Sequence, residues 1–343
     1  MGGQSSREKL RLIHSDKLSL VKAQDEQVMQ LTGKVHFWYG PTEFRSDRAL
    51  IFDTQKIARL DGNVKVSNDS LSITADSLVF YRLTDELKAG GGVEISEFNS
   101  EGTKRWFRSE NAVYNRKDDN VTVWREVSSY DKEENAFLTC GYAFWDRKNG
   151  YSYLIENPVL ETAREDTLLV SADKIEYFSE EKKVVATFNV LARTQDYQAT
   201  SDFLLYWLDE EKAVFTGEPA FSSEFAEASA REFYLFLDER KLSRAELVDS
   251  CLVVFGEQPR ADDANWVRAN FIKLEFRDET IDRFQAENAV SYHYTQDETE
   301  ERDFFINHAK GDYLEASFKA DSKLDKMKMT KGIKGVYRFH NKS

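Results

Sequence analysis

The sequence is poor in proline, in cysteine and in long apolar runs, and each shortage excludes a class of protein. Four prolines in 343 residues, without low-complexity tracts, argue against a disordered chain. No stretch reaches the length of about 18 apolar residues that a transmembrane helix needs. The two cysteines, Cys140 and Cys251, lie far apart and match no metal-ligand spacing. Two free, half-buried thiols are favoured over a long-range disulfide.

Positive charge is scarce as well. The 47 Lys and Arg residues stand against 61 Asp and Glu residues, which gives a formal net charge of −14. Nucleic acid is therefore an unfavourable partner, and the chain has no general attraction to anionic membrane surfaces. The five histidines are scattered, and no His-x-His, His-Glu-x-x-His, Cys-x-x-Cys or Gly-x-Ser-x-Gly motif occurs. The sequence thus predicts no catalytic centre, no metal site and no cofactor.

The chain does contain a repeated unit of strand, polar turn and strand. In the unit that begins at Ser171, an acidic residue opens the first strand and a valine anchors the second. The same interval separates Asp47 from Val64, Asp76 from Val93 and Asp173 from Val190. Alignment on the opening residue gives ten copies, at Asp16, Asp47, Asp76, Glu110, Gly141, Asp173, Asp202, Glu232, Asn270 and Glu315.

The residues two and four positions after the opening residue are almost always apolar. This period of two is the signature of a strand with one buried face. Any of these side chains could simply be core, but the same side chains would line an apolar ligand slot. The candidate lipid-binding residues are Leu18, Leu20, Ile51, Leu78, Phe80, Tyr114, Trp145, Ile175, Tyr177, Leu204, Tyr206, Tyr234, Phe236, Ile272 and Leu274.

These features predict an all-β fold. A single two-stranded unit cannot bury its apolar face alone, so about ten units must stack. We expect one continuous array over residues 12–322, an elongated open β-jellyroll interrupted by an acidic insertion loop at 295–312. A flexible tail would precede it at 1–11. A basic tail would follow at 323–343, with a closing strand at residues 335–339.

Glycines and carboxylates mark the repeat. Glycine often precedes the anchor of the second strand, as at Gly33, Gly62 and Gly217, where a turn or bulge with positive φ is expected. The run 90–92 lacks the lysine and helix of a phosphate loop, so a tight turn is favoured. The opening carboxylates could form a catalytic or cation-binding ladder. A cap at the bend of each strand is favoured, because stacked like charges repel.

The phrase Ala-Asp-x-Leu-x-Phe-Tyr, followed by a charged turn and Gly-x-Val-x-Val, resembles the OstA/LptA-type repeat of lipopolysaccharide-transport proteins. The best matches are residues 60–66, 73–81 and 170–177, and the resemblance extends over roughly 12–292. It implies a non-enzymatic, V-shaped β-jellyroll in the periplasm that carries lipopolysaccharide acyl chains in its interior. It also implies end-to-end pairing through edge strands, with other jellyroll proteins of a transport bridge or with itself.

Other interpretations stay open. The chain is longer than a minimal LptA-type chain, it has no transmembrane anchor of the LptC kind, and no outer-membrane barrel follows as in LptD. Its position in a bridge and any association with the outer membrane are therefore undecided, and a signal peptide is presumed removed. A structural or adhesive β-solenoid with a closed core is the alternative. An elongated β-helix enzyme acting on polysaccharide is disfavoured, since no clustered acids are found.

Overall fold

Strands make up all the regular structure that the computed structural model describes. It describes residues 9–23, 26–100, 102–162, 167–195, 197–223, 226–238, 241–255, 265–277, 280–296, 305–319 and 324–339. These ranges contain 26 strands, and no helix that could cross a membrane is found among them. The all-β prediction is confirmed.

The chain divides into two compact units, Met1–Glu165 and Asp166–Ser343. The single array over 12–322 stays a prediction. In unit 1 the strands are β1 (Leu10–His14), β2 (Lys17–Ala23), β3 (Glu26–Tyr39), β4 (Thr42–Phe52), β5 (Ile57–Ser67), β6 (Leu71–Tyr81), β7 (Glu86–Asn99), β8 (Gly102–Asn115), β9 (Asn120–Asp131), β10 (Ala136–Asp146), β11 (Tyr151–Ile155) and β12 (Val159–Thr162).

The strands of unit 2 continue the same pattern. They are β13 (Leu169–Ser171), β14 (Lys174–Phe178), β15 (Lys183–Arg193), β16 (Tyr197–Trp207), β17 (Lys212–Thr216), β18 (Ala220–Ser223), β19 (Ala226–Ser229), β20 (Glu232–Asp238), β21 (Lys241–Phe255), β22 (Asn265–Arg277), β23 (Thr280–Gln296), β24 (Phe305–Phe318), β25 (Leu324–Thr330) and β26 (Lys334–Phe339).

Each long strand bends at its middle. In β4, alternate residues are buried up to Ser46, then Asp47 and Arg48 are both exposed, and burial resumes at Ala49. Two consecutive exposed residues shift the alternation by one position, as at a β-bulge. The register with β5 shifts at the same point, between Arg45 and Arg48. The predicted anchor Val64, 2% exposed, is the first buried residue of β5 beyond this shift.

Two consecutive residues with positive φ lie opposite each bend. They recur five times in each described unit. Glycine fills the first position at Gly33, Gly62, Gly91 and Gly217, where φ is 78–79° and L residues are strained. The ten pairs are 33/34, 62/63, 91/92, 125/126 and 156/157 in unit 1, and 188/189, 217/218, 249/250, 288/289 and 331/332 in unit 2.

The strand halves before and after the bends form two layers in each unit. In unit 1, Phe44 precedes its bend and Phe80 follows its own, yet their rings lie 5.2 Å apart. In unit 2, Phe255 and Phe284 make the corresponding contact at 5.9 Å. Each unit is therefore a jellyroll-like stack whose apolar faces pack on each other, built from the predicted strand–turn–strand repeat.

The predicted end segments differ in part from the structure. Of the insertion expected at 295–312, residues 305–312 form the first half of β24, and 297–304 lie outside the described residues. Of the expected N-terminal tail, 1–8 lie outside the described residues, and β1 begins at Leu10. The strand β26 covers the region where a closing strand was expected.

Candidate ligand-binding interior

The residues two positions after the opening residue form one continuous row across unit 1. Leu18 and Leu78 belong to it, together with residues from the intervening strands. All members except Leu18 are at most 7% exposed. The row, in hydrogen-bonded register from β2 to β11, is Leu18, Leu31, Ala49, Leu60, Leu78, Ala89, Ala112, Val123, Ala143 and Leu154.

A second row lies two residues away from the first on each strand. It brings together the predicted residues Leu20, Ile51, Phe80, Tyr114 and Trp145. The other members are Met29, Ala58, Leu87, Val121 and Ser152. The two rows make a continuous apolar strip on the inner face of one layer of unit 1.

Unit 2 has the same two rows on its inner face. The first runs through Ile175, Ala186, Leu204, Phe215, Phe233, Leu247, Ile272, Ala286 and Leu314, all at most 5% exposed. The second runs through Tyr177, Val184, Tyr206, Ala213, Leu235, Ala245, Leu274, Phe284 and Ala316.

Two predicted residues, Tyr234 and Phe236, point to the other face of their strand. The amide of Arg231, not that of Glu232, donates the backbone hydrogen bond to Asp249 at the bend, at 2.9 Å. The apolar pair therefore moves by one residue, and Phe233, 2% exposed, takes the place assigned to Tyr234. A slip of one residue along a strand exchanges its two faces.

The opposing layer supplies the other wall of the interior, and the prediction did not include it. In unit 1 the row Phe37, Phe44, Val66, Ile73 and Ile95 lies on the strand halves before or after the bends, and each member is at most 3% exposed. The rings of Phe37 and Phe44 stack at 4.9 Å. Apolar and polar residues alternate along these strand halves, and this alternation in the sequence could have identified the row.

Side chains fill the middle of each unit. Leu78 and Phe80 in unit 1 and Ile272 in unit 2 are at most 1% exposed. Two open depressions of about 440 and 370 Å³ lie on the outer surface of unit 1, next to bends, around Trp124 and around Arg108. An acyl chain would reach the buried rows only where the two layers separate.

The inner faces are uncovered at the outermost strands. Leu18 and Leu20 of β2 are 48% and 62% exposed, although both belong to the interior rows. At the other terminus, Gly335 pairs with the buried Ala309, so Tyr337 and Phe339 lie on the same face of β26 as that interior residue. They are 56% and 63% exposed. Among the described residues, neither β2 nor β26 closes its unit with a polar inner face.

Arginines cover the turn edge of unit 1. Arg82, Arg116 and Arg147 pair with Asp53, Asp85 and Asp119 of neighbouring turns at 3.5, 3.1 and 2.8 Å. Their side chains are only 10–12% exposed. The equivalent backbone positions in unit 2 are Leu208 and Leu237. Since each of these arginines has a carboxylate partner, their role at the turn edge of unit 1 is structural.

The opening carboxylates sit over the bends. A Cβ added to Gly62 would lie 2.5 Å from Oδ2 of Asp47, which shows how closely the carboxylate covers this glycine. The Nδ2 group of Asn63 donates to the same oxygen at 2.8 Å. No group of three metal-ligating side chains occurs among the described residues. The geometry matches a cap on the bend and gives no support to a cation ladder.

Two bends reverse this arrangement. At one, the opening position is Gly141 and the residue with positive φ is Glu156, whose side chain lies over the glycine. At another, Arg231 opens the strand and pairs with Asp249 at 3.3 Å. The acidic group can thus come from either strand, which explains why alignment on acids alone failed at this second bend. At the last unit, the amide of Asp312 makes the bend contact, three residues before the predicted Glu315.

The two thiols are free and buried. Cys140 is 8% exposed and Cys251 is 2% exposed. Burial raises the pKa of Cys140 to about 12 and that of Cys251 to about 11. Both therefore stay protonated and act as small apolar core residues. The prediction of free thiols is confirmed, and they are more buried than expected.

Comparison with known proteins shows a weak likeness to solved structures and to nothing else. No family model and no curated protein matches the chain. Among solved structures, it is similar to LptH, the LptA homologous periplasmic component of the lipopolysaccharide transport device from Pseudomonas aeruginosa. The identity is 13%, the match covers 49% of this chain and 76% of that chain, and the TM-score is 0.14. Values this low carry no conclusion about ligand or partner, and the family assignment stays a prediction.

Proposed function

We propose that this chain is a non-enzymatic periplasmic carrier that moves lipopolysaccharide or a related glycolipid towards the outer membrane. The acyl chains would lie along the apolar rows inside each unit. The side chains that contact them would be those of the two rows on one layer, with the opposing row that contains Phe37 and Phe44 as the second wall. Binding of an acyl chain requires nothing more specific than a long apolar surface.

The main support for this proposal is that the interior rows are exposed at the outermost strands, β2 and β26. A stacked-repeat protein with a closed core needs terminal repeats with a polar outer face. Here Leu20 and Phe339, both on the interior side of their strands, are more than 60% exposed. Such uncovered apolar edges support end-to-end contact with a partner whose interior continues the strip.

The alternative is a structural or adhesive β-solenoid with a closed core and no lipid ligand. The complete burial of Phe80 and Ile272 favours it, because a fully buried side chain has no surface left for an acyl chain to contact. The two functions differ in one requirement: the carrier must open between its layers, and the solenoid must not.

Photocrosslinking separates these functions. A benzophenone amino acid replaces Tyr206, a half-buried member of the interior row, in the full chain. Its neighbour Leu205 points to the opposite face of the same strand and is the matched control position. The carrier predicts lipopolysaccharide adducts from position 206 and few from 205. Equal yields at both positions, or none from a folded protein, would contradict the carrier.

The open end of unit 1 provides a second test. Leu20→Asp places a charge on an exposed side chain, so the fold should survive. If Leu20 lies in a docking surface, the variant should associate less than the parent protein as concentration is raised, and light scattering measures this association. Ser19→Asp, on the opposite face of β2, is the control. A protein that stays monomeric at high concentration, in the presence of candidate partners, would count against the bridge role.

A further inference from the structure

A surface of unit 2 is basic although the protein is acidic. It lies on β22, β23, β24 and β26, on the face turned away from the interior. We call it the basic face. Its members, in cross-strand register, are Trp266, Arg268, Ser291, His293, Thr295, Ile306, His308, Lys310, Lys334, Val336 and Arg338.

The orientation of this face follows from its neighbours in sequence. Val267, Ala269, Tyr292 and Ala309 alternate with members of the basic face and are 5–9% exposed on the interior side. Successive side chains of a strand point to opposite faces. Arg268, Lys310, Lys334 and Arg338 are all exposed to solvent.

The four cations of the basic face have no anionic partners among the described residues. Within the described residues, none of them has a carboxylate at ion-pair distance. By contrast, Lys328 on the neighbouring strand β25 pairs with Glu315 at 3.6 Å. The guanidinium of Arg268 lies over the ring of Trp266, 5.1 Å from its centroid, and so adds charge next to an aromatic ring.

Like charges also lie directly opposite each other. Lys310 of β24 pairs in register with Lys334 of β26. Directly opposite residues in an antiparallel pair have Cβ atoms about 5 Å apart, and like charges there destabilise the sheet. An anion bound over Lys310 and Lys334 would remove this repulsion.

We propose that the basic face docks the protein on an anionic phospholipid bilayer. The face spans four strands, about 14 Å across, and three of its four cations, Arg268, Lys310 and Lys334, lie in one row across these strands. A row of cations of this length suits an array of phosphates. Trp266, Ile306 and Val336, the last 57% exposed, lie between the cations. Basic residues mixed with Trp and aliphatic side chains are the composition of surfaces that rest in the membrane interface.

Vesicle sedimentation of the full chain tests the docking. The vesicles contain equal parts of phosphatidylcholine and phosphatidylglycerol, and phosphatidylcholine vesicles serve as the neutral reference. Binding to the anionic vesicles alone is expected, and it should weaken as salt is added. Lys310→Gln with Lys334→Gln should lower the partition coefficient by about fivefold for each lysine, roughly 30-fold for the pair.

The matched control is Lys326→Gln with Lys328→Gln. It removes the same charge from β25, at the same end of unit 2 but on the other layer. Its binding should stay near that of the parent. If the two double variants lost vesicle binding equally, binding would depend only on the net charge of the protein, and the proposal would be overturned.

Two further outcomes would also overturn it. One is the absence of binding to anionic vesicles. The other is competition by inorganic phosphate at a concentration too low to act as salt, which would mean a discrete phosphate site. Thermal melting checks that the Lys310 and Lys334 variant is folded; if it is not, Arg338→Gln, at an exposed position, replaces it with an expected loss of about fivefold. Because the basic face lies outside the interior, the crosslink from position 206 should be unchanged, and the two proposals can fail separately.

Discussion

The bend at Gly91 and Gly92 gives a sharp test of how the strands turn. Both glycines have positive φ, 79° and 52°. A Cβ added at Gly91 would lie 2.4 Å from Oδ2 and 2.8 Å from Cβ of Asp76, whereas one added at Gly92 would meet nothing within 4 Å. Gly91→Ala and Gly92→Ala thus impose similar backbone strain, and only the first creates a clash.

The expected magnitudes follow from these two terms. An L residue in the left-handed region costs about 1–2 kcal/mol, which is the whole effect expected of Gly92→Ala. The Cβ of Asp76 cannot rotate away, so Gly91→Ala also forces a backbone shift of the kind that costs about 1–3 kcal/mol. Together these two terms lead us to expect that Gly91→Ala lowers the free energy of unfolding by about 2–5 kcal/mol.

Urea denaturation followed by circular dichroism measures the difference. In the double variant Asp76→Gly with Gly91→Ala, the opening residue is a glycine and the side chain comes from the other strand, as at Gly141 and Glu156. Because the clash with Asp76 is then absent, the double variant should be more stable than Gly91→Ala by about 1–3 kcal/mol. Equal costs for Gly91→Ala and Gly92→Ala, or no recovery in the double variant, would refute the view that the carboxylate packs on the glycine.

Three other outcomes are expected. Arg147→Met should lower the unfolding free energy by about 2 kcal/mol in urea denaturation, because it removes the cation that Glu97 and Asp119 share; the exposed Lys148→Met should be near neutral, and equal effects would contradict this. The buried Cys140 thiol, with its pKa raised to about 12, should react with a disulfide reagent at about pH 8 on the order of a thousandfold more slowly in native than in unfolded protein; comparable rates would disprove its protection. Burial raises the pKa of Tyr114 from 10.0 to about 12, so the stability from its neutral form is complete below pH 10 and is lost as pH rises towards 12. In Tyr114→Phe, alkaline loss of stability over this range should be smaller, and an unchanged pH profile would refute the assignment.

The period of the repeat was predictable because strand geometry imposes it. Residues such as Leu78 and Ile175 follow their opening acids at the same interval, and they occupy the same interior row in their respective units. The positive φ at Gly33 and Gly62 was likewise predictable, since glycine is the residue that adopts it without strain. Local chemistry specifies these features, and tertiary contacts do not overrule them.

The error at Tyr234 has a physical cause. Either strand can contribute the acid at a bend, as Asp47 and Glu156 show. At this bend Arg231 opens the first strand and the acid, Asp249, lies on the second. Glu232, on which the sequence alignment was based, lies one residue after the position that opens the strand. Only the backbone pairing between Arg231 and Asp249 shows which residue occupies the bend.

The sequence alone determined the all-β class, the strand period, and most of the residues that face the interior. These depend on alternation and turn chemistry, which are local. Tertiary structure decided which interior residues are covered and how charge is distributed. Leu20 and Phe80 occupy the same row, yet one is 62% exposed and the other fully buried, because only one has a layer packed against it. The net charge of −14 gives no sign of the basic face, because the register between separate strands brings its cations together.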